Sequence, residues 1–70
     1  MTAAEFRVAR KRLGLSTAQL GAAIGVTARS VRRWEAGKHP VPRWAEIAVA
    51  WAVNAAERLD AEATATAPTT

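Results

Sequence analysis

Three times within its first 37 residues the chain follows one pattern: a hydroxyl residue suited to cap a helix, a short run with apolar residues at helical spacing, and then a glycine. Glu5 follows Thr2 by three residues, and Gln19 follows Ser16 by three. This is the spacing of a capping box, in which each side chain takes up a free backbone N–H of the first turn. Thr27 is a third N-cap candidate. Gly14, Gly25 and Gly37 close the runs, because glycine enters the left-handed conformation at little cost. The pattern predicts a first helix between Thr2 and Gly14 with Phe6, Ala9 and Leu13 on one stripe. A second follows over Thr17–Ile24, with Leu20, Ala23 and Ile24 inward, and a third over Ala28–Ala36, with Val31 and Trp34 inward. No strand signal competes with this reading.

Lys38 to Pro42 reads as a loop, since Pro40 and Pro42 remove backbone donors and disfavour helix at the residues before them. From Arg43 to about Ala61 an alanine-rich run predicts one long helix. Trp44, Ile47, Ala48, Trp51, Ala55 and Leu59 fall on one of its sides, and Val49, Val53 and Ala56 on another. A helix apolar on two sides is buried twice, or buried once and used for association. Trp34 and Trp44 are expected in the core, and Trp51 either in the core or at a dimer contact. The Thr/Ala/Pro tail has little to bury. The expected organisation is residues 1–62 as one domain with a long C-terminal helix and residues 63–70 as a disordered tail. The fold class is all-α, a small helical bundle of four to five helices.

A chain of 70 residues makes one domain at most and buries only a modest core. It has no cysteine and a single histidine, His39, so disulfides and zinc sites of the Cys/His kind are excluded, and no cofactor or metal is expected. Oligomerisation remains as the means of supplementing the core. No charged-then-apolar leader opens the sequence and no run of about 18 apolar residues occurs, which leads to the expectation of a cytoplasmic protein. The Gly21/Gly25 spacing matches a membrane-helix pairing motif, but the surrounding charge argues against a membrane. Enzymatic chemistry is not expected either, since no clustered carboxylates, cysteine or second histidine are available for it.

The net charge of +4 is unevenly distributed. Residues 7–43 hold nine Lys or Arg against one acid, Glu35, whereas residues 44–70 hold four acids against one base, Arg58. Such a basic block is the footprint of a polyanion binder. Its densest part lies on the third helix, where Arg29, Arg32 and Arg33 face away from Val31 and Trp34, with Thr27 and Ser30 beside them. Arg7, Lys11 and Arg12 read more simply as a solvated helix face.

Two short helices joined by Gly25-Val26-Thr27, with Gly21 small where the backbones must approach, have the form of a helix-turn-helix. At four blocks the sequence resembles the lambda-repressor-like family, also called Cro or Xre type. The blocks are Arg10 with Leu13-Gly14-Leu15-Ser16, then Leu20-Gly21 with Ile24-Gly25-Val26-Thr27, then Val31 with Trp34-Glu35 and Gly37-Lys38, and then Pro42-Arg43-Trp44. They occur in order over about two-thirds of the chain, from Phe6 to Val53. The resemblance implies a recognition helix at Ala28–Ala36 that enters the major groove of double-stranded DNA. It places Ala28, Arg29 and Arg33 at base-reading positions, with Arg32 beside them. Arginine favours guanine, whose O6 and N7 meet its fork together, so G-containing half-sites are expected. Thr17 matches a phosphate-contact position, and Thr27, Ser30, Lys38, His39 and Arg43 are further candidates. Arg10 and Glu35 correspond to an ion pair tying the first helix to the third. The family often has glutamine where this chain has Thr17 and Ala28, so adenine readout at that step is not implied, and the long terminal helix is a second departure.

The function expected from these residues is a homodimeric transcriptional repressor reading a palindromic operator. Its relatives in role would be a phage Cro-like protein, an antitoxin or an anti-CRISPR-associated autorepressor, acting at the nucleoid. The dimer surface is expected at Val49, Trp51, Val53 and Ala56. Two rival readings use the same fold. One is an adaptor or antitoxin whose terminal helix captures a protein partner, and the other is an excisionase-like factor that bends DNA.

Overall fold

In the computed structural model the backbone is described over residues 1–66 and the side chains over residues 1–61. Four helices follow one another: α1 (Ala3–Arg12), α2 (Thr17–Ile24), α3 (Ala28–Glu35) and α4 (Arg43–Thr66), with no strand among the described residues. The first three have locally encoded ends. Thr2 Oγ1 accepts from Glu5 N at 3.1 Å while Thr2 N donates to Glu5 Oε1 at 2.7 Å, and Ser16 and Gln19 repeat the reciprocal pair. Thr27 caps α3 by accepting from Ser30 N. At the other ends the glycines turn the chain. Gly37, at φ +76°, sits where Lys38 N donates to Arg33 O and Gly37 N to Trp34 O. Gly14 does the same, with Leu15 N donating to Arg10 O and Gly14 N to Lys11 O. This pair of bonds takes up carbonyls that a helix end otherwise leaves free.

The core is small. Phe6 and Ala9 of α1, Leu20 of α2, Val31 and Trp34 of α3, and Ala45 and Val49 of α4 are buried, with Leu13, Leu15, Ile24, Val26, Val41 and Val53 packed around them. Phe6 meets the edge of Trp34 with centroids 5.7 Å apart, and Trp34 meets Trp44 at 6.1 Å, both near perpendicular. Each such pair contributes about 0.5–1.5 kcal/mol beyond the area it buries. No buried side-chain polar atom among the described residues lacks a partner.

The α4 helix runs beside α1 in the same direction. The amino group of Met1 pairs with Glu46, and Arg12 reaches Glu57 at 3.7 Å from the other end of α1. The Arg12–Glu57 pair is open to solvent on both sides and contributes little. Which face of α4 packs differs from expectation. Ala45 and Val49 are fully buried, and Ala52, Val53 and Ala56 are half-buried. Val49 and Val53, expected at a dimer surface, therefore face the protein's own core, Ala56 of that expected set is half-buried, and Trp51 is open. The bulkier side is outermost, and Trp44, expected in the core, is half exposed at its contact with Trp34. The face of α4 turned to the core is therefore its small-residue face, with Ala45, Val49, Ala52, Val53 and Ala56 on it. The helix also continues through Thr66, past the Ala61 at which it was expected to end. Alanine supports helix, and nothing before Pro68 interrupts it. The tail expected over 63–70 thus begins inside a backbone helix, while residues 67–70 lie outside the described residues.

Candidate nucleic-acid interface

The geometry that presents α3 begins at Gly21. Its carbonyl accepts from both Gly25 N and Val26 N, at 2.9 and 2.8 Å, so the turn is latched onto α2. A Cβ at Gly21 would stand 2.7 Å from Val26 O and 3.1 Å from Thr27 C. Only glycine permits this approach, which fixes where α3 leaves the turn. The inner face of α3 is then held by Val31 and Trp34.

A bidentate ion pair holds α3 to α1. Arg10 Nε donates to Glu35 Oε2 at 2.7 Å and Arg10 Nη2 to Glu35 Oε1 at 3.0 Å. Arg10 Nη1 also donates to the Leu15 carbonyl at 2.9 Å. Both side chains are largely shielded, at 14% and 10% exposure. The hydrogen bond to Glu35 raises the Arg10 guanidinium above its ordinary value, so the arginine stays charged. The Leu15 carbonyl was not anticipated as a partner. The glycine turn at Gly14 delivers it, and Gly14-Leu15 after a helix bearing Arg10 is the signal that could have disclosed it.

With its inner face held, α3 turns Arg29, Arg32 and Arg33 to solvent. These three line a cleft of about 410 Å³ with Ala36, Lys38 and His39. The bond from Lys38 N to Arg33 O folds the chain back at Gly37, which brings Lys38 and His39 alongside the arginines. No acid lines the cleft, and among the described residues Arg29, Arg32, Arg33 and Lys38 enter no ion pair. Four cations left unneutralised on one concave surface attract an anion of extended charge.

The remaining site candidates lie outside this cleft. Ala28 is half-buried at the start of α3. The Thr27 hydroxyl is engaged at the cap, accepting from Ser30 N at 3.1 Å and donating to Ser30 Oγ at 3.2 Å. Thr17 is half-buried at the first position of α2, one residue after its cap, Ser16. Arg43 opens α4 and lines a separate hollow with Met1, Glu46, Ile47 and Ala50. Arg29, Arg32, Arg33, Lys38 and His39 thus line one cleft, and Thr17, Thr27, Ser30 and Arg43 are not among its lining residues.

No helix among the described residues is long and apolar enough to cross a membrane, and no three metal-ligating side chains cluster there. A family model described as a helix-turn-helix domain matches residues 3–65. No curated protein and no solved structure matches the chain.

Proposed function

The chain belongs to the helix-turn-helix domain family, and from that premise we propose that it is a sequence-specific, double-stranded DNA-binding transcriptional regulator acting as a homodimeric repressor. One observation carries the reading: the exposed, acid-free cleft where Arg29, Arg32 and Arg33 of α3 meet Lys38 and His39. In this reading α3 lies in the major groove, as the second helix of this motif does. Arg29, Arg32 and Arg33 read base edges, with guanine favoured by the bidentate fit of the guanidinium. Ala28 offers only a methyl contact to thymine. Lys38 and His39, just past the end of α3, bind phosphate on one side of the groove. Thr17, Thr27, Ser30 and Arg43 are phosphate contacts around its rim. Phosphate contacts supply affinity and register, and base contacts supply specificity. Two copies bind half-sites about 34 Å apart, one helical turn, on a palindromic operator, and repress by occluding a promoter.

Selection of duplexes from a randomised pool, followed by anisotropy titration at two salt concentrations, tests this. A two-fold symmetric, G-containing site is expected, on which Arg33→Ala loses about 1–3 kcal/mol. Absence of any consensus, with weak binding that vanishes as salt rises, would reduce the cleft to a nonspecific polyanion surface.

A further inference from the structure

The α4 helix carries a second surface that the DNA reading does not use. Trp44, Ile47, Trp51 and Leu59 are 50%, 47%, 70% and 65% exposed. At 100° per residue they fall on one stripe with Ala48 and Ala55 between them. We propose that this stripe binds the same stripe of a second copy, with the two α4 helices antiparallel about a two-fold axis near Trp51. The inference deepens the dimeric reading above and rests on it.

Area argues for a second copy. Taking roughly 150–250 Å² for a full aromatic side chain, the four residues present about 500 Å² of apolar surface. That is toward the upper end of the largest patch a typical monomer shows, about 300–600 Å². Buried on both copies it reaches about 1,000 Å², where specific interfaces begin. The self-complementary pattern of the stripe argues for the same partner, since an isologous contact must satisfy one surface twice. Antiparallel about Trp51, Trp44 faces Leu59 of the second copy, Ile47 and Ala48 face its Ala55, and the two Trp51 side chains meet. The large residues then meet at the two ends and at the centre, with Ile47 over Ala55 between them.

The parallel alternative is worse because it sets Arg58 against itself. Arg58 is the one charged residue on the stripe between Trp44 and Leu59, and in the antiparallel arrangement it comes opposite the indole face of Trp44, a favourable cation–π placement. The antiparallel pairing lays the Leu59 end of each helix along its partner's Trp44 end. It also puts the two α3 helices at opposite ends of the pair, as two half-sites require.

The test is sedimentation equilibrium of the full chain without DNA, for wild type, Trp51→Glu, Leu59→Glu and Val8→Glu, with helicity followed by circular dichroism. Trp51, Leu59 and Val8 are all more than half exposed, so the fold tolerates each change. Wild type and Val8→Glu, which lies off the stripe, are expected to be dimers. Trp51→Glu and Leu59→Glu should weaken association at least about tenfold with helicity unchanged, since buried interface anchors carry most of the binding energy. A monomeric wild type, or a dimer indifferent to both stripe substitutions, overturns the proposal. Register is read by oxidation, because the chain has no native cysteine. Ala48→Cys/Ala55→Cys should cross-link between copies and Ala55→Cys alone should not, whereas cross-linking by the single variant means parallel helices. Since these measurements contain no DNA, an intact operator titration beside a failed dimer would sink the interface and leave the DNA reading standing.

Discussion

Substituting Gly21 by alanine probes how tightly the turn sets α3. The new Cβ stands 2.7 Å from Val26 O, and ordinary contact begins at 3.4 Å, so the turn must retreat by about 0.7 Å. The neighbour is backbone, so no side chain can swing aside. The retreat stretches the 2.8 Å bond from Val26 N to Gly21 O beyond useful length. Losing that bond costs about 1 kcal/mol. Overpacking of this kind costs about 1–3 kcal/mol more. Alanine returns roughly 1 kcal/mol through its better helix propensity. The balance is a loss of about 1–3 kcal/mol, and at about 4–8 °C per kcal/mol for a domain this size, a fall in Tm of roughly 5–20 °C. Thermal unfolding by circular dichroism at 222 nm measures it. Operator affinity should also drop at temperatures where the variant is fully folded, because α3 is re-aimed. A Tm equal to or above wild type, with affinity unchanged, would refute the claim that backbone contact at Gly21 sets the position of α3.

Two further outcomes follow from the ion pair and the first cap. Arg10→Met strands the shielded Glu35 carboxylate and the Leu15 carbonyl and should lose about 3–5 kcal/mol in urea unfolding. The double variant Arg10→Met/Glu35→Leu should recover most of that loss, and a double-variant loss equal to the sum of the Arg10→Met and Glu35→Leu losses would show that the pair is not coupled. The Glu5 carboxylate is held below its ordinary range, first by the hydrogen bond from the Thr2 backbone N–H and then by the Thr2 side chain. Folding therefore favours the ionised form. This contribution is complete above the ordinary glutamate value and disappears as pH falls through the lowered one. Glu5→Gln should flatten the acid limb of the stability–pH curve, and an unaltered limb would assign acid sensitivity elsewhere.

What the sequence disclosed was whatever is decided within a few residues. Thr2 with Glu5, Ser16 with Gln19, and Thr27 each satisfy the turn that follows, and Gly14, Gly25 and Gly37 each release the turn that precedes, so the ends of α1, α2 and α3 were legible. The outward face of α3 was legible too, because Val31 and Trp34 leave Arg29, Arg32 and Arg33 no other side. Lys38 and His39 joined that face through a glycine turn whose consequence is spatial. The orientation of α4 was not legible. Its sequence is apolar on two sides, and bulk suggested burying Trp44. What decided it was which face of α4 meets the rest of the core, a tertiary fact, and that face carries Ala45, Val49 and Val53. The extension to Thr66 escaped for a milder reason, since alternating Thr and Ala neither demands helix nor forbids it.

The glycine-closed helix ends also bear on how the domain forms. Every bond that stops α1, α2 or α3 joins residues at most five apart, and so does every cap. The steps that must wait for distant parts of the chain are few: the meeting of Arg10 with Glu35, the edge contacts among Phe6, Trp34 and Trp44, and the settling of α4 along α1. Chains built mainly from near neighbours fold in microseconds to milliseconds. A domain assembled this way can lose its tertiary contacts and regain them within milliseconds, which limits how long its apolar surfaces stay exposed to other chains.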